Sequence, residues 1–122
     1  MTKEIRQTII VRKDLNMRKG KMIAQGSHAS NGFLTKIIRG ERKLNDTEQE
    51  WLNGGHAKIC LAATDEKHLE DLFNQAREAG LEVYMVIDSG KTEFKVPTKT
   101  CIAIGPDLKE KIDLITSSLQ LL

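Results

Sequence analysis

The chain has 122 residues, of which 39% are hydrophobic and 30% charged, with a net charge of +2. That profile fits a soluble globular protein built as one domain over residues 1–122, with a modest core. No stretch approaches the ~20 apolar residues of a membrane-spanning helix, and MTKEIRQTIIVRKD lacks the apolar run of a secretory leader, so the expected compartment is the cytoplasm. The charge is unevenly placed: eleven Lys/Arg against three Asp/Glu in residues 1–43, eight against fourteen in the rest. A basic surface for a polyanion and an ordinary solvated face are both open on charge alone.

QTIIVRK (7–13) is a short, β-branched apolar run and predicts a central strand. After the turn formers of DLNMRKG, a helix is expected from about 19–21 to Arg39. In it Met22, Gly26, Ala29, Phe33 and Ile37 fall on one buried stripe, and Gly40 ends it. A short second helix follows in NDTEQEWLNGG, with Thr47 and Glu50 read as its capping box. AKICLAA (57–63) predicts a buried strand. Thr64 is the expected cap of a helix over roughly 65–79, stopped by Gly80. LEVYMVID (81–88) alternates as a strand, SGKTEFKVPT is a loop, and KTCIAIG (99–105) predicts a fourth strand. Pro106 and Asp107 are expected to open a last helix striped by Leu108, Ile112 and Ile115. The order β-α-α-β-α-β-β-α predicts an α/β, three-layer sandwich with a four-stranded mixed sheet flanked by helices.

Several chemistries lack their residues. Cys60 and Cys101 are far apart and read as buried strand residues, and no CxxC pair exists to anchor zinc. His28, His56 and His68 show no metal-ligand spacing, so no metal is expected. Neither a GxxxxGK[ST] loop nor a GxSxG elbow occurs. Five aromatic residues provide no obvious stacking platform for single-stranded bases.

A polar set remains. Lys21, Gln25, His28 and Gly32 share one helix face. Lys21 falls in the first turn, where the helix dipole disfavours a cation. It is either a solvated surface lysine or part of an anion or oxyanion site. Asp88 closes a strand and opens a Gly-containing loop. That position suits a functional carboxylate and also a simple Asx turn.

RKDLNMRKGKMIAQGSHA (12–29) resembles the signature R-x-D-L-x-M-x-x-G-K-x-x-A-Q-x-x-H-A of the type 2 (archaeal and eukaryotic style) peptidyl-tRNA hydrolase family. DSGKTE (88–93) is similar to the family's D-A-G-R-T-Q, and TKTCIAIGP (98–106) to T-x-T-x-x-A-I-G-P. IDLITSSLQLL (112–122) resembles its C-terminal helix and terminal Leu pair. The resemblance implies the same mixed sheet, a cytosolic hydrolase of the ester joining peptide to the tRNA 3′ end, no cofactor or metal, and commonly a homodimer. It implies an active site of Lys21, Asp88, Thr92 and Thr100.

Ester hydrolysis needs an activated water and a stabilised oxyanion. Asp88 suits the first role. Lys21 suits the second, or a grip on the tRNA end. Arg6, Arg12, Lys13, Arg18, Lys19 and Lys36 are candidates to neutralise tRNA phosphates, with Gln25, His28, Lys91 and Thr98 as further substrate contacts. His28 is read as a helix-face histidine hydrogen-bonded to a neighbouring loop rather than as a base. The block 88–93 departs from the family at Ser89, Lys91 and Glu93, and Val96-Pro97-Thr98 stands for P-G-T. These departures motivate an alternative, a tRNA- or protein-binding module on the same fold that has lost turnover.

Overall fold

The apolar run near the N-terminus forms β1, Ile5–Arg12, in the computed structural model, which describes residues 3–91 and 93–122. It is followed by α1 (Lys19–Ile38), α2 (Asp46–Asn53), β2 (Lys58–Ala63), α3 (Glu66–Glu78), β3 (Val83–Asp88), β4 (Thr98–Leu108) and α4 (Lys109–Thr116). The strands lie in the order β2-β1-β4-β3, so β1 is central, in keeping with its buried run Ile9, Ile10 and Val11. β1 runs parallel to β2 and antiparallel to β4, and β3 is antiparallel to β4. The sheet is therefore mixed.

Strand alternation sends side chains to two separate cores. On one face Ile10, Leu61, Ile102 and Ile104 pack under Leu69, Leu72 and Ala76 of α3 and Ile112 of α4. On the other, Ile9, Val11, Val86, Cys101 and Ala103 pack with Ala29 and Met22 of α1. Each fully buried Ile or Val contributes about 1.5–3 kcal/mol by leaving water. The result is the expected three layers. The helix α1 is also pinned by polar groups: buried Gln7 of β1 accepts from the Ser30 hydroxyl at 2.5 Å and donates to the Ser30 carbonyl at 3.0 Å. Gly32 is small for a packing reason. A Cβ there would lie 2.0 Å from Cγ of Tyr84, whose ring rests against the helix.

Gly40 and Gly80 end their helices as expected. Each has a positive φ and completes a Schellman motif, with Glu41 N–H donating to Lys36 O and Leu81 N–H to Ala76 O, both at 2.9 Å.

Elsewhere local chemistry overrides the sequence expectation. The capping box of α2 is Asn45 with Glu48, two residues ahead of Thr47 and Glu50. Asn45 is the stronger cap, and Glu48 is held in place by Arg42 at 2.7 Å. Asp65, not Thr64, caps α3 by accepting from His68 N–H at 2.8 Å. Pro106 and Asp107 do not open α4. β4 continues through them, pairing Asp107 with Arg6 and Leu108 with Ile5, and the helix begins at Lys109. Cys101 is buried but Cys60 is exposed, because the first half of edge strand β2 is only partly covered. The C-terminal residues leave α4 and run beside β2, where Ala62 N–H donates to Gln120 O at 2.9 Å and Leu122 N–H to Cys60 O at 3.1 Å.

Candidate active site

Lys21 is the third residue of α1, within a first turn that has no side-chain cap and no acidic residue. Asp88 is the last residue of β3. Packing α1 across β3 and β4 brings them together, with Lys21 Nζ 2.6 Å from Asp88 Oδ2. Only 12% of the lysine side chain and 6% of the aspartate side chain are exposed. The dipole penalty on a cation at this position is thus offset by a directly bonded carboxylate. The other carboxylate oxygen, Oδ1, accepts from Gly90 N–H at 2.9 Å. The Asx turn and the charged pair are therefore the same structure. Gly90 is required there: φ is +85°, and a Cβ would lie 2.7 Å from the Val96 carbonyl carbon. Lys21 Nζ also stands 5.7 Å from the Phe94 ring centre.

One turn along α1, Gln25 faces β4. Thr100 Oγ1 donates to Gln25 Oε1 at 2.6 Å, in a fully buried contact. Cys101 Sγ donates to the Gln25 backbone carbonyl at 3.2 Å, and burial pushes this thiol up to about 11. With its oxygen occupied, the Gln25 side chain keeps an amide N–H₂ group for donation.

The other sequence candidates divide clearly. Lys13, Arg18, Lys19 and Lys91 are exposed and lie at the ends of β1, α1 and β3 that also carry the Lys21–Asp88 pair. Arg18 reaches Glu93 at 3.9 Å. Arg12 is 9% exposed and committed inward. It donates to Asp14 at 3.1 and 2.8 Å and to the Lys99 carbonyl at 3.0 Å. Thr98 Oγ1 donates to the Val96 carbonyl at 2.8 Å. Lys36 pairs with Glu82 at 2.6 Å, and Arg6 sits in the β1–β4 ladder. Thr92 lies outside the described residues. His28 is exposed on α1. Among the described residues it makes no hydrogen bond to a loop; its ring instead stands 6.0 Å from that of Tyr84.

Sequence reasoning did not foresee Phe94 over Lys21 or Tyr84 beside His28. The alternation Tyr84, Val86, Asp88 along β3 was the available signal for the second. Among the described residues no group of three His, Cys, Asp or Glu side chains is placed to hold a metal, and no helix is long and apolar enough to cross a membrane. A groove of about 710 Å³ lies on the opposite side of α1, between Ile9, Val11, Met22, Ile23, Gly26 and Cys60. It contains neither Lys21 nor Asp88.

A family model described as peptidyl-tRNA hydrolase PTH2 matches residues 5–122. The chain is 40% identical over 118 residues to the peptidyl-tRNA hydrolase of Methanocaldococcus jannaschii, spanning 97% of this chain and all of that protein. It is 44% identical over 117 residues to the peptidyl-tRNA hydrolase of Haloquadratum walsbyi, spanning 96% and 99% of the two chains. It is also 41% identical over 118 residues to the probable peptidyl-tRNA hydrolase 2 of Dictyostelium discoideum, spanning 97% of this chain and 55% of that longer protein. With the signature blocks meeting in one site and the match running through nearly the whole chain, this protein belongs to the peptidyl-tRNA hydrolase PTH2 family.

Proposed function

We propose that this chain hydrolyses the ester between a peptide and the 3′-terminal ribose of tRNA, and that the Lys21–Asp88 pair is its chemical centre. The observation that carries the reading is the 2.6 Å contact between two nearly buried, oppositely charged groups at the mouth of α1. Among the described residues Asp88 accepts from Lys21 at Oδ2 and from the Gly90 N–H at Oδ1. A carboxylate held at this site is suited to orient a water and take its proton. The water attacks the ester carbonyl, and the carbonyl oxygen becomes an oxyanion. The Lys21 ammonium is positioned to stabilise it, and the Gln25 amide N–H₂ adds a neutral donor. Collapse of the intermediate breaks the bond to the ribose oxygen, which leaves with a proton. Thr100 is fully buried and donates to Gln25, so it is a positioning residue for that amide. Thr92 completes the set by resemblance.

Exposed Lys13, Arg18, Lys19 and Lys91 flank this centre and suit phosphate contacts that carry no base information, as an enzyme for many tRNAs requires. We place the protein in the cytoplasm, where this substrate arises. We assign it a homodimer, a state supported by the exposed Ile23 and Leu122 beside the 710 Å³ groove.

The test is release of N-acetyl-amino acid from N-acetyl-aminoacyl-tRNA. Lys21→Ala and Asp88→Asn each lower kcat about 100-fold or more, with circular dichroism confirming that the variants stay folded. Salt-dependent tRNA binding without any ester cleavage by the unmodified protein would overturn the reading in favour of a binding module.

A further inference from the structure

One stripe of α1 carries Lys21, Gln25, His28, Gly32 and Lys36 toward edge strand β3. Lys21 and Gln25 serve the proposed chemical centre. The stripe then continues into a second feature that this chemistry does not use. Tyr84 shares the α1-facing side of β3 with Asp88, and its ring is seated on Gly32, where there is no room for a Cβ. The exposed His28 ring stands beside it at 6.0 Å, tilted by 46°. Lys36 Nζ closes the far end, 5.9 Å from the Tyr84 ring centre, and is fixed by Glu82 at 2.6 Å and by the Val83 carbonyl at 3.3 Å.

We propose that the His28–Tyr84 ring pair is a nucleobase subsite. It stacks an unpaired base of the tRNA 3′ tail just upstream of the adenosine that carries the ester. This rests on the hydrolase reading above and extends it.

Three features support the assignment. The first is exposure. Trp51 and Phe33 are buried against each other, and half-buried Phe73 packs against the core on the other face of the sheet. His28 is open to solvent and Tyr84 is half-buried. The second is preorganisation. Packed against Gly32, flanked by His28 and Lys36, the Tyr84 ring has little freedom left to lose when a base arrives. The third is position. His28 lies seven residues beyond Lys21 on the same helix face, a rise of about 10 Å. Tyr84 lies four residues before Asp88 on the same strand, about 13 Å away. That distance passes the ester-bearing sugar and falls where the next nucleotides toward the 5′ side run. Stacking is tolerant of base identity, and every tRNA presents the same unpaired CCA tail, so the subsite fits all of them.

The experiment compares two minimal substrates, the N-acetyl-aminoacyl ester of adenosine and the same ester on the trinucleotide CCA. The unmodified enzyme prefers the trinucleotide ester through KM. His28→Ala reduces that preference about tenfold, within the range for loss of one aromatic–base stack. His28→Phe, which keeps a ring but no ring nitrogen, retains the preference. The proposal is overturned if His28→Ala leaves the preference intact, or if His28→Phe loses as much as His28→Ala. A binding arm separates this from the hydrolase reading. Titration of the unmodified protein with free CCA should shift the His28 and Tyr84 ring proton resonances upfield. An absence of such shifts overturns the subsite even if the ester is cleaved. Shifts without ester cleavage sustain the subsite and overturn the hydrolase reading.

Discussion

Gly32 and Gly26 offer a matched pair of substitutions on one helix. Both lie inside α1, so replacing either with alanine gains the same intrinsic helix preference, about 0.8–1 kcal/mol. Their surroundings differ. A Cβ on Gly26 meets only Ile9 Cγ2, at an ordinary 3.8 Å. A Cβ on Gly32 would lie 2.0, 2.4 and 2.5 Å from three ring atoms of Tyr84. Those atoms are at the stem of the ring, so the whole side chain must swing away. Overpacking of this kind costs about 1–3 kcal/mol. Gly26→Ala should therefore stabilise the protein by somewhat under 1 kcal/mol. Gly32→Ala should be neutral at best and as much as about 2 kcal/mol destabilised. The gap between the two variants isolates the Tyr84 contact, because helix preference cancels. Urea denaturation followed by circular dichroism measures it, and a 1 kcal/mol difference also moves Tm by about 3–5 °C for a chain of this size. Equal stability of the two variants would refute the argument that Tyr84 dictates a glycine at 32.

Two further outcomes follow from charge and burial. The Arg12 hydrogen bond holds the Asp14 carboxyl below its ordinary 3.8. A carboxyl depressed by folding stabilises the fold above its unfolded pKa and loses that effect as pH falls through its folded pKa. Asp14→Asn should therefore lower the urea midpoint at pH 7, and the gap to the unmodified protein should close as the pH is taken below 3.8; a gap that persists in acid would contradict the ion-pair account. Thiol titration with a disulfide reagent at pH 8 should find one reactive cysteine, the exposed Cys60, in the folded protein. Buried Cys101, with its thiol pushed up to about 11, should react only on unfolding, and rapid reaction of both would show that the β4 core opens easily.

Much of the fold is legible from local signals. The Gly40 and Gly80 stops, the α1 stripe and the strand alternation each arise within a few residues, and each reappears in the structure. The misreadings occurred where two local signals competed or where a distant element decided. Asn45 and Thr47 both suit a helix start, and Arg42 beside Glu48 settled the choice. Pro106 fits a first helical turn, yet Ile5 and Arg6 of β1 keep residues 107 and 108 in the ladder. Cys60 sits in an apolar run, but its exposure depends on which strand becomes the sheet edge. In the site, Lys21 and Asp88 stood out individually by position. Their contact spans 67 residues and follows only from how α1 crosses β3. The His28–Tyr84 ring pair is not legible in the sequence, because one partner is a histidine and the other lies on a different element.

The proposed centre is assembled from two distant parts of the chain: the start of α1, and the segment where β3 ends and β4 begins. The Lys21–Asp88 contact spans 67 residues and the Gln25–Thr100 contact 75. No contiguous segment contains it, and β4, the strand that joins β3 to β1, must pair on both sides before the pieces meet. Non-local pairing of this kind is the slow part of folding for α/β chains. Recovery of ester cleavage after dilution from denaturant should therefore trail the return of helical signal, which makes turnover a clock for completion of the sheet.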